Sequence, residues 1–177
     1  MRPTDRGCTD EGPSALPRRA HPTHPEHRTV KEPVVTVEDA PTQLDDGIEL
    51  LVIGAPTHDL GLSTAESRQA ACARQGHIEP MIGVREWMGL VTVPSIPPLV
   101  AIFDTRTGYP WLPVSAAAQA SAFLSSRGFP VIPARETFRV QGITGPLNVG
   151  EDDRAERWTT VVAARLHHQQ RRTRQQA

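Results

Sequence analysis

The sequence predicts an α/β domain built on a parallel sheet with helices on both faces. Two segments, Ile48–Ile53 and Leu99–Phe103, are apolar at nearly every position, as is typical of strands buried on both sides. Helix-capping residues and apolar positions at helical spacing follow each of them. Because strands and helices alternate along the chain, we expect parallel strands joined by helical crossovers.

The length of 177 residues suits one folded domain with two polar ends. Residues 1–32 are rich in Pro, His and Arg and lack apolar periodicity, so we expect a disordered N-terminal segment. The regular spacing of His21, His24 and His27 could bind a metal, but the intervening prolines exclude a helical face and favour a solvated segment. We assign residues 33–168 to the domain and residues 169–177 to a disordered tail.

Charge and composition exclude several classes of partner. The formal net charge of −1 gives no overall field that would attract nucleic acid or an anionic membrane. No segment approaches the roughly 20 apolar residues of a membrane span, and the N-terminus lacks the apolar core of a secretory signal. We therefore expect a cytoplasmic protein. We interpret Cys72 as a small buried apolar residue, the alternatives being a reactive thiol or a disulfide partner.

The first half of the domain begins with the β-branched segment Pro33–Glu38, which predicts a short strand. Ile48–Ile53 predicts the next strand. Ser63 and Glu66 have capping-box spacing, so a helix should begin there and end near Gly76. Gly83–Leu90 predicts a second, short helix with Val84, Trp87 and Met88 on one side.

The second half continues with the strand Leu99–Phe103. Ser115 is expected to cap a helix that runs to Arg127, and Gly128 supplies the left-handed residue that ends it. A strand at Phe129–Ile132 and an irregular segment at Pro133–Val149 follow.

The last helix should begin near Glu151, because acidic residues fill its first turn and basic residues follow toward His168. Its apolar positions share one face, so Trp158 is interpreted as a core anchor. These positions are Ala155, Trp158, Val162 and Leu166. The basic tail after this helix is interpreted as a solvated end rather than a nucleic-acid surface.

Two loops are candidates for a binding site, Ala55–Leu62 and Asp104–Pro113. Ligands of parallel α/β sheets bind where loops leave the carboxyl ends of the strands, and Gly and Pro let backbone approach a flat ring. The donors and acceptors in these loops are Thr57, His58, Asp59, Asp104, Thr105 and Arg106.

The same loop residues are also compatible with purely structural roles. Strand-to-helix turns often carry Gly, Pro and capping residues for geometry alone. His58 could be a base, a ligand contact or a solvated residue, and Asp104 could form a surface ion pair with Arg106. The sequence shows no Ser/His/Asp set, no metal-ligand cluster and no P-loop, so hydrolysis and phosphoryl transfer lack residues.

Four runs in this order resemble bacterial flavodoxin-family proteins: LLVIGAPTHDLGLS, AIFDTR, SSRGFPV and GPLNVGEDDRAERW. The resemblance covers about Val34 to Leu166. It implies a flavodoxin-like, doubly wound sheet of strand order 2-1-3-4-5 with FMN at the tip of its central strands.

The resemblance also implies which residues flank the flavin ring. They are Ala55, Pro56, Thr57, His58, Asp59, Leu60 and Gly61 in the first loop, and Asp104, Thr105, Arg106 and Thr107 in the second. Tyr109 and Trp111 follow the second loop and could stack on the ring or pack in the fold.

The chain departs from the family pattern at its start. Flavodoxins begin with an apolar strand and a Ser/Thr/Gly-rich turn that holds the flavin phosphate at a helix N-terminus. Before Val34 this sequence has neither, so the first strand is missing or replaced and no phosphate-binding loop is found. We expect an open sheet edge and weaker phosphate binding.

Three functions follow from these observations. The first is an FMN-binding electron carrier that serves redox partner proteins and needs no catalytic side chain. The second is a truncated, flavin-free flavodoxin-like remnant or interaction module. The third is an FMN-dependent quinone or NAD(P)H reductase, for which no substrate pocket is evident in the sequence.

Overall fold

The structure is a computed structural model that describes residues 34–58, 61–75, 82–108, 114–142 and 145–176. The predicted N-terminal segment and its three histidines lie outside these ranges. All described helices and strands belong to the compact unit Val35–Ala177. The strands are β1 (Leu50–His58), β2 (Gly61–Leu62), β3 (Leu99–Arg106) and β4 (Glu136–Arg139), and the helices are α1 (Ala65–Gln75), α2 (Val84–Leu90), α3 (Ala116–Ser126) and α4 (Glu151–Gln176).

The four strands form one mixed sheet in the order β2-β1-β3-β4. β1 pairs in parallel with β3, with Leu50 opposite Leu99, and β3 pairs in parallel with β4. β2 is antiparallel to the end of β1, with Thr57 opposite Leu62. The α/β class is therefore confirmed, while the expectation of a purely parallel sheet is wrong because β2 folds back on β1.

Helices pack on both faces of this sheet, because successive side chains of a strand point to opposite sides. On one face, Val100 and Ile102 of β3 pack with the buried side chains of α2 and α3. On the other face, Leu99 and Ala101 pack with Phe138 of β4 and with α4. This double burial explains the apolar composition that predicted β3.

Trp158 anchors α4 on the second face, as expected from the apolar stripe of this helix. Its ring meets Phe103 and Phe138 edge to face, with centroid distances of 5.7 and 6.2 Å. The indole nitrogen donates a hydrogen bond to the Ala134 carbonyl at 2.6 Å. The polar end of the ring is thus satisfied inside the core.

The outer edge of β1 has no strand partner between Leu50 and Pro56 in the part of the chain that the structure describes. Leu99 donates its amide to the Glu49 carbonyl at 3.0 Å, so the odd-numbered residues of β1 direct their backbone groups toward β3. The amides and carbonyls of Leu50, Val52 and Gly54 therefore point outward. The side chain of Val52 is 42% exposed.

Two predicted strands are not strands. For the prediction at Pro33–Glu38, Pro33 lies outside the described residues, and residues 34–38 lead into a turn, which the backbone hydrogen bond from Asp39 to Thr36 closes at 3.2 Å. Phe129–Ile132 contributes only an isolated parallel bridge between Val131 and Val100. Instead β4 lies in the segment that was expected to be irregular.

The predicted helices are present, with changes at their ends. Ser115 caps α3 by accepting the Ala118 amide at 3.2 Å, and Gly128 follows with φ +96°, both as expected. The capping box of α1 lies one residue later than expected, because Thr64 and Ser67 exchange backbone-to-hydroxyl hydrogen bonds. α4 continues to Gln176, so residues 169–176 of the expected tail are helical. Cys72 on α1 is only half-buried.

Candidate functional site at the carboxyl end of the sheet

The first predicted loop is largely a strand. Ala55, Pro56, Thr57 and His58 belong to β1, and Gly61 is buried in β2. Pro56 is tolerated because its nitrogen lies on the outer edge of β1, where no partner needs an amide donor. The interpretation of Ala55–Leu62 as an open loop is therefore wrong. Asp59 and Leu60 lie outside the described residues, as does the side chain of His58.

The second predicted loop also begins as a strand. Asp104, Thr105 and Arg106 are the last residues of β3 and lie in register with Thr137, Phe138 and Arg139 of β4. Thr107 is the first residue beyond the strand and is exposed. Tyr109 and Trp111 lie outside the described residues. The sequence analysis ended this strand at Phe103, because Asp, Thr and Arg are also common in loops.

Asp104 faces the protein interior. Its side chain is 0% exposed, and Oδ2 accepts hydrogen bonds from the Thr57 hydroxyl at 3.0 Å and from the Ala117 amide at 2.9 Å. The Thr57 hydroxyl in turn accepts the Ala116 amide at 2.9 Å. The two side chains therefore cap the N-terminus of α3 and tie it to β1 and β3. Oδ1 of Asp104 has no hydrogen-bond partner within the described ranges.

A second set of contacts holds β2 beside this end of the sheet. The Gln119 side-chain oxygen on α3 accepts the Leu62 amide at 2.9 Å, and Arg85 donates to the Leu62 carbonyl at 3.0 Å. A Cβ at Gly61 would overlap the Gln119 amide group, so a larger residue there would displace this side chain. Gln119 was not predicted as a site residue, because nothing in an alanine-rich helix distinguishes this glutamine in sequence.

The accessible part of this end is mostly backbone. Pro56 is exposed and lies opposite the half-buried Thr105, and Thr107 and Gly108 are exposed just beyond β3. The Gly108 carbonyl accepts a hydrogen bond from Arg139 of β4 at 2.6 Å. The structure thus brings the beginnings of the two predicted loops side by side, with exposed backbone beside them.

An FMN phosphate would require a helix N-terminus with free amides. The amides of Ala116, Ala117 and Ala118 of α3 bind Thr57, Asp104 and Ser115. The first three amides of α3 are therefore not free to bind a phosphate.

The other described helices carry acidic residues in their first turns. Glu86 accepts the Gly83 amide at the start of α2, and Glu66 lies in the first turn of α1. The hydrogen bonds from its own amide and from Thr64 lower the pKa of Glu66, so this end of α1 is negatively charged. α4 begins with Glu151, Asp152 and Asp153. At these three helix ends the carboxylates oppose the attraction that a helix N-terminus has for an anion.

Two ion-pair clusters flank this end of the sheet. Arg68 of α1 binds Glu86 at 3.2 Å, and Arg154 of α4 binds Glu136 and Glu151. The hydrogen bonds with Glu151 raise the pKa of Arg154, and the charge of Glu136 adds to this increase against the opposing effect of burial. The first ion pair therefore joins α1 to α2, and the second cluster joins α4 to β4.

The described residues contain neither a candidate metal-ion cluster nor a membrane-spanning helix. No group of three or more His, Cys, Asp or Glu side chains among them is placed to hold a metal ion. No helix in the same ranges combines the length and apolarity needed to cross a membrane. Comparisons of the chain with protein-family models, curated proteins and solved structures find no match.

Proposed function

We propose that this chain is a flavodoxin-like protein that binds FMN at the carboxyl ends of β1 and β3 and carries electrons between redox partner proteins. The observation that supports it most is the pairing of these two strands in parallel, with Pro56 opposite Thr105, so that both flavin-loop motifs leave the same edge of the sheet. The ordered sequence resemblance to flavodoxins supplies the cofactor class, and the proposal includes the family's doubly wound topology.

The protein would contribute by positioning the flavin ring. Exposed backbone at Pro56, Thr107 and Gly108 would contact the edges of the ring, while the bound flavin supplies the electron-accepting group. Thr57 and Asp104 would act indirectly, because their hydrogen bonds hold α3 and the two strands in place.

The occupied helix N-termini sharpen this proposal. If the ring supplies most of the affinity, FMN and riboflavin should bind about equally well, since they differ only in the phosphate. A phosphate held by two charge-assisted hydrogen bonds would instead favour FMN by roughly two to four orders of magnitude.

The second candidate function is a flavin-free interaction module. Two observations favour it: the outer edge of β1 has no strand partner in the described part of the chain, and the polar groups expected to contact flavin are bonded within the fold. An unpaired strand edge can bind an extended segment of another protein by backbone hydrogen bonding.

The test is a parallel titration of the purified chain with FMN and riboflavin, followed by quenching of flavin fluorescence and by the visible spectrum. Saturable binding followed by reversible reduction of the bound flavin would support the electron-carrier proposal. Equal affinities would assign recognition to the ring, and a large preference for FMN would indicate a phosphate site outside the described residues. A folded chain that binds neither flavin would refute the proposal and leave the flavin-free module.

A further inference from the structure

A groove of about 390 Å³ lies at the opposite, amino end of the sheet. Its floor is apolar and includes Leu99 at the start of β3 together with Val131 and Ile132 from the segment after α3. One wall is the C-terminal half of α4. The sequence analysis places the residues of this wall at the end of a helix and in a solvated tail. The flavin proposal uses none of them.

The α4 wall is basic. Arg165, His168 and Arg172 line the groove, and their spacing of three and four residues places them on one face of the helix. All three are exposed, so the two guanidinium groups and the imidazole are accessible to a ligand. The groove thus combines an apolar floor with a row of nitrogen donors.

These basic side chains have no acidic partner among the described residues. The ion pairs found there join Arg68 to Glu86 and Arg154 to Glu136 and Glu151. The carboxylate of Glu49, from the residue that precedes β1, accepts a hydrogen bond from Gln170 at 3.0 Å. The positive charge of the groove is therefore not neutralised by these contacts.

Stabilisation of the helix end accounts for only part of this arrangement. Basic residues favour a helix C-terminus through its dipole, but the effect is confined to about the last turn. α4 ends at Gln176, and Arg165 lies about three turns before it. A positive charge so far from the helix end, beside an apolar floor, calls for another partner.

We propose that this groove binds a small organic anion with an apolar body, such as an aromatic or branched aliphatic carboxylate or phosphate ester. The apolar body would lie on the half-buried Val131 and on the small exposed parts of Leu99 and Ile132, so the apolar surface removed from water would be mainly that of the ligand. The anionic group would accept hydrogen bonds from Arg165 and Arg172. Since β3 extends from Leu99 to Arg106, about 23 Å of strand separates this groove from the proposed flavin edge.

The test uses 1-naphthyl phosphate as the probe, titrated into the full chain and followed by ¹H–¹⁵N chemical-shift changes. We expect saturable shifts at Val131 and Ile132. Replacing both arginines (R165Q/R172Q) should weaken binding at least about tenfold, because two charge-assisted hydrogen bonds are lost. The R165K/R172K variant keeps both charges and should recover part of the affinity.

The matched control is R171Q/R174Q, which removes the same charge from the same helix at positions that do not line the groove. It should leave the affinity within about twofold, since only screened long-range charge changes. Neutral 1-naphthol should bind at least about tenfold more weakly than the phosphate. Equal weakening by the two glutamine variants, equal binding of 1-naphthol, or the absence of saturable shifts would each overturn the proposal.

FMN also has a flat body and a phosphate, so the flavin titration should be repeated with R165Q/R172Q. Unchanged flavin binding with loss of 1-naphthyl phosphate binding would keep the two sites distinct. Loss of both would assign the flavin to the groove and refute the flavin site at the carboxyl end, while the anion proposal would stand.

Discussion

The two ends of the sheet use their polar side chains differently. At the carboxyl end, Thr57 and Asp104 bond to each other and to the amides of α3, and Gln119 of α3 bonds to Leu62 of β2. At the amino end, Arg165 and Arg172 line an apolar groove and form no ion pair among the described residues. The difference shows that a polar residue at a strand end can be a structural part of the fold, whereas an unbonded charge beside an apolar surface is the stronger indication of a ligand.

The largest effect is expected for Asp104→Ala at the carboxyl end. The substitution leaves the Thr57 hydroxyl and the Ala117 amide without their acceptor, so the free energy of unfolding should fall by about 3 kcal/mol. Urea denaturation followed by circular dichroism measures this change in the free energy of unfolding. The exposed Asp46→Ala is the control, and a loss no larger than in this control would contradict the capping function of Asp104.

A smaller effect is expected for Thr57→Val, which keeps the shape of the side chain and removes the hydroxyl between Ala116 and Asp104. The free energy of unfolding should fall by about 1 to 2 kcal/mol. Thr57→Ser retains the hydroxyl and should lose less. If Thr57→Val lowered flavin affinity without lowering stability, Thr57 would be a ligand contact instead of a structural residue.

Glu86, in the first turn of α2, should make a pH-dependent contribution to the free energy of unfolding. Burial alone would raise the pKa of Glu86, but its backbone hydrogen bonds, the Gly83 amide and the charge of Arg68 outweigh burial and lower it. Because the folded state has the lower pKa, this contribution is present above the unfolded value of about 4.3 and is lost as the pH falls through the folded pKa.

The measurement is urea denaturation of the wild type and Glu86→Gln at a series of pH values. At pH 7 the variant should be less stable by at most about 1 kcal/mol, because the glutamine oxygen can still accept the Gly83 amide but the charge that faces Arg68 is lost. The difference should shrink below about pH 4. A difference that stays constant across this range would show that the charge of Glu86 contributes nothing.

The smallest effect on stability is expected at the amino end. Arg165→Gln and Arg172→Gln remove charges that have no acidic partner in the described residues, so the free energy of unfolding should change by less than about 0.5 kcal/mol. The same denaturation experiment tests this. A loss above about 1 kcal/mol would mean that these arginines support the fold, and the contrast between the two ends would disappear.

The predictions from sequence succeeded where one local signal determines the structure. The apolar stripe of α4 placed Trp158 in the core, and the Ser115 cap and Gly128 set the ends of α3. They failed where pairing decides the structure. Glu136–Arg139 is polar but gains hydrogen bonds from β3, whereas the β-branched Pro33–Glu38 finds no strand to pair with in the described part of the chain.

The difference between local signals and long-range contacts also explains which features of the candidate site could be predicted. The sequence indicated that the two polar segments leave one edge of the sheet, and the register of β1 and β3 places them there. Whether Thr57 and Asp104 face outward or inward depends on which strand residue meets the N-terminus of α3, and no spacing in the sequence contains this information. The C-terminal end of α4 was missed because its polar residues form helices well but carry no apolar pattern.

The one-sided pairing of β1 has a consequence for the exchange of its amide hydrogens with solvent. The amides of Leu51, Ile53 and Ala55 are directed to β3, while those of Val52 and Gly54 point to the outer edge. Exchange along this strand should therefore alternate, with slow and fast amides following each other at a period of two residues. A segment bound along that edge would slow the fast set and leave the slow set almost unchanged.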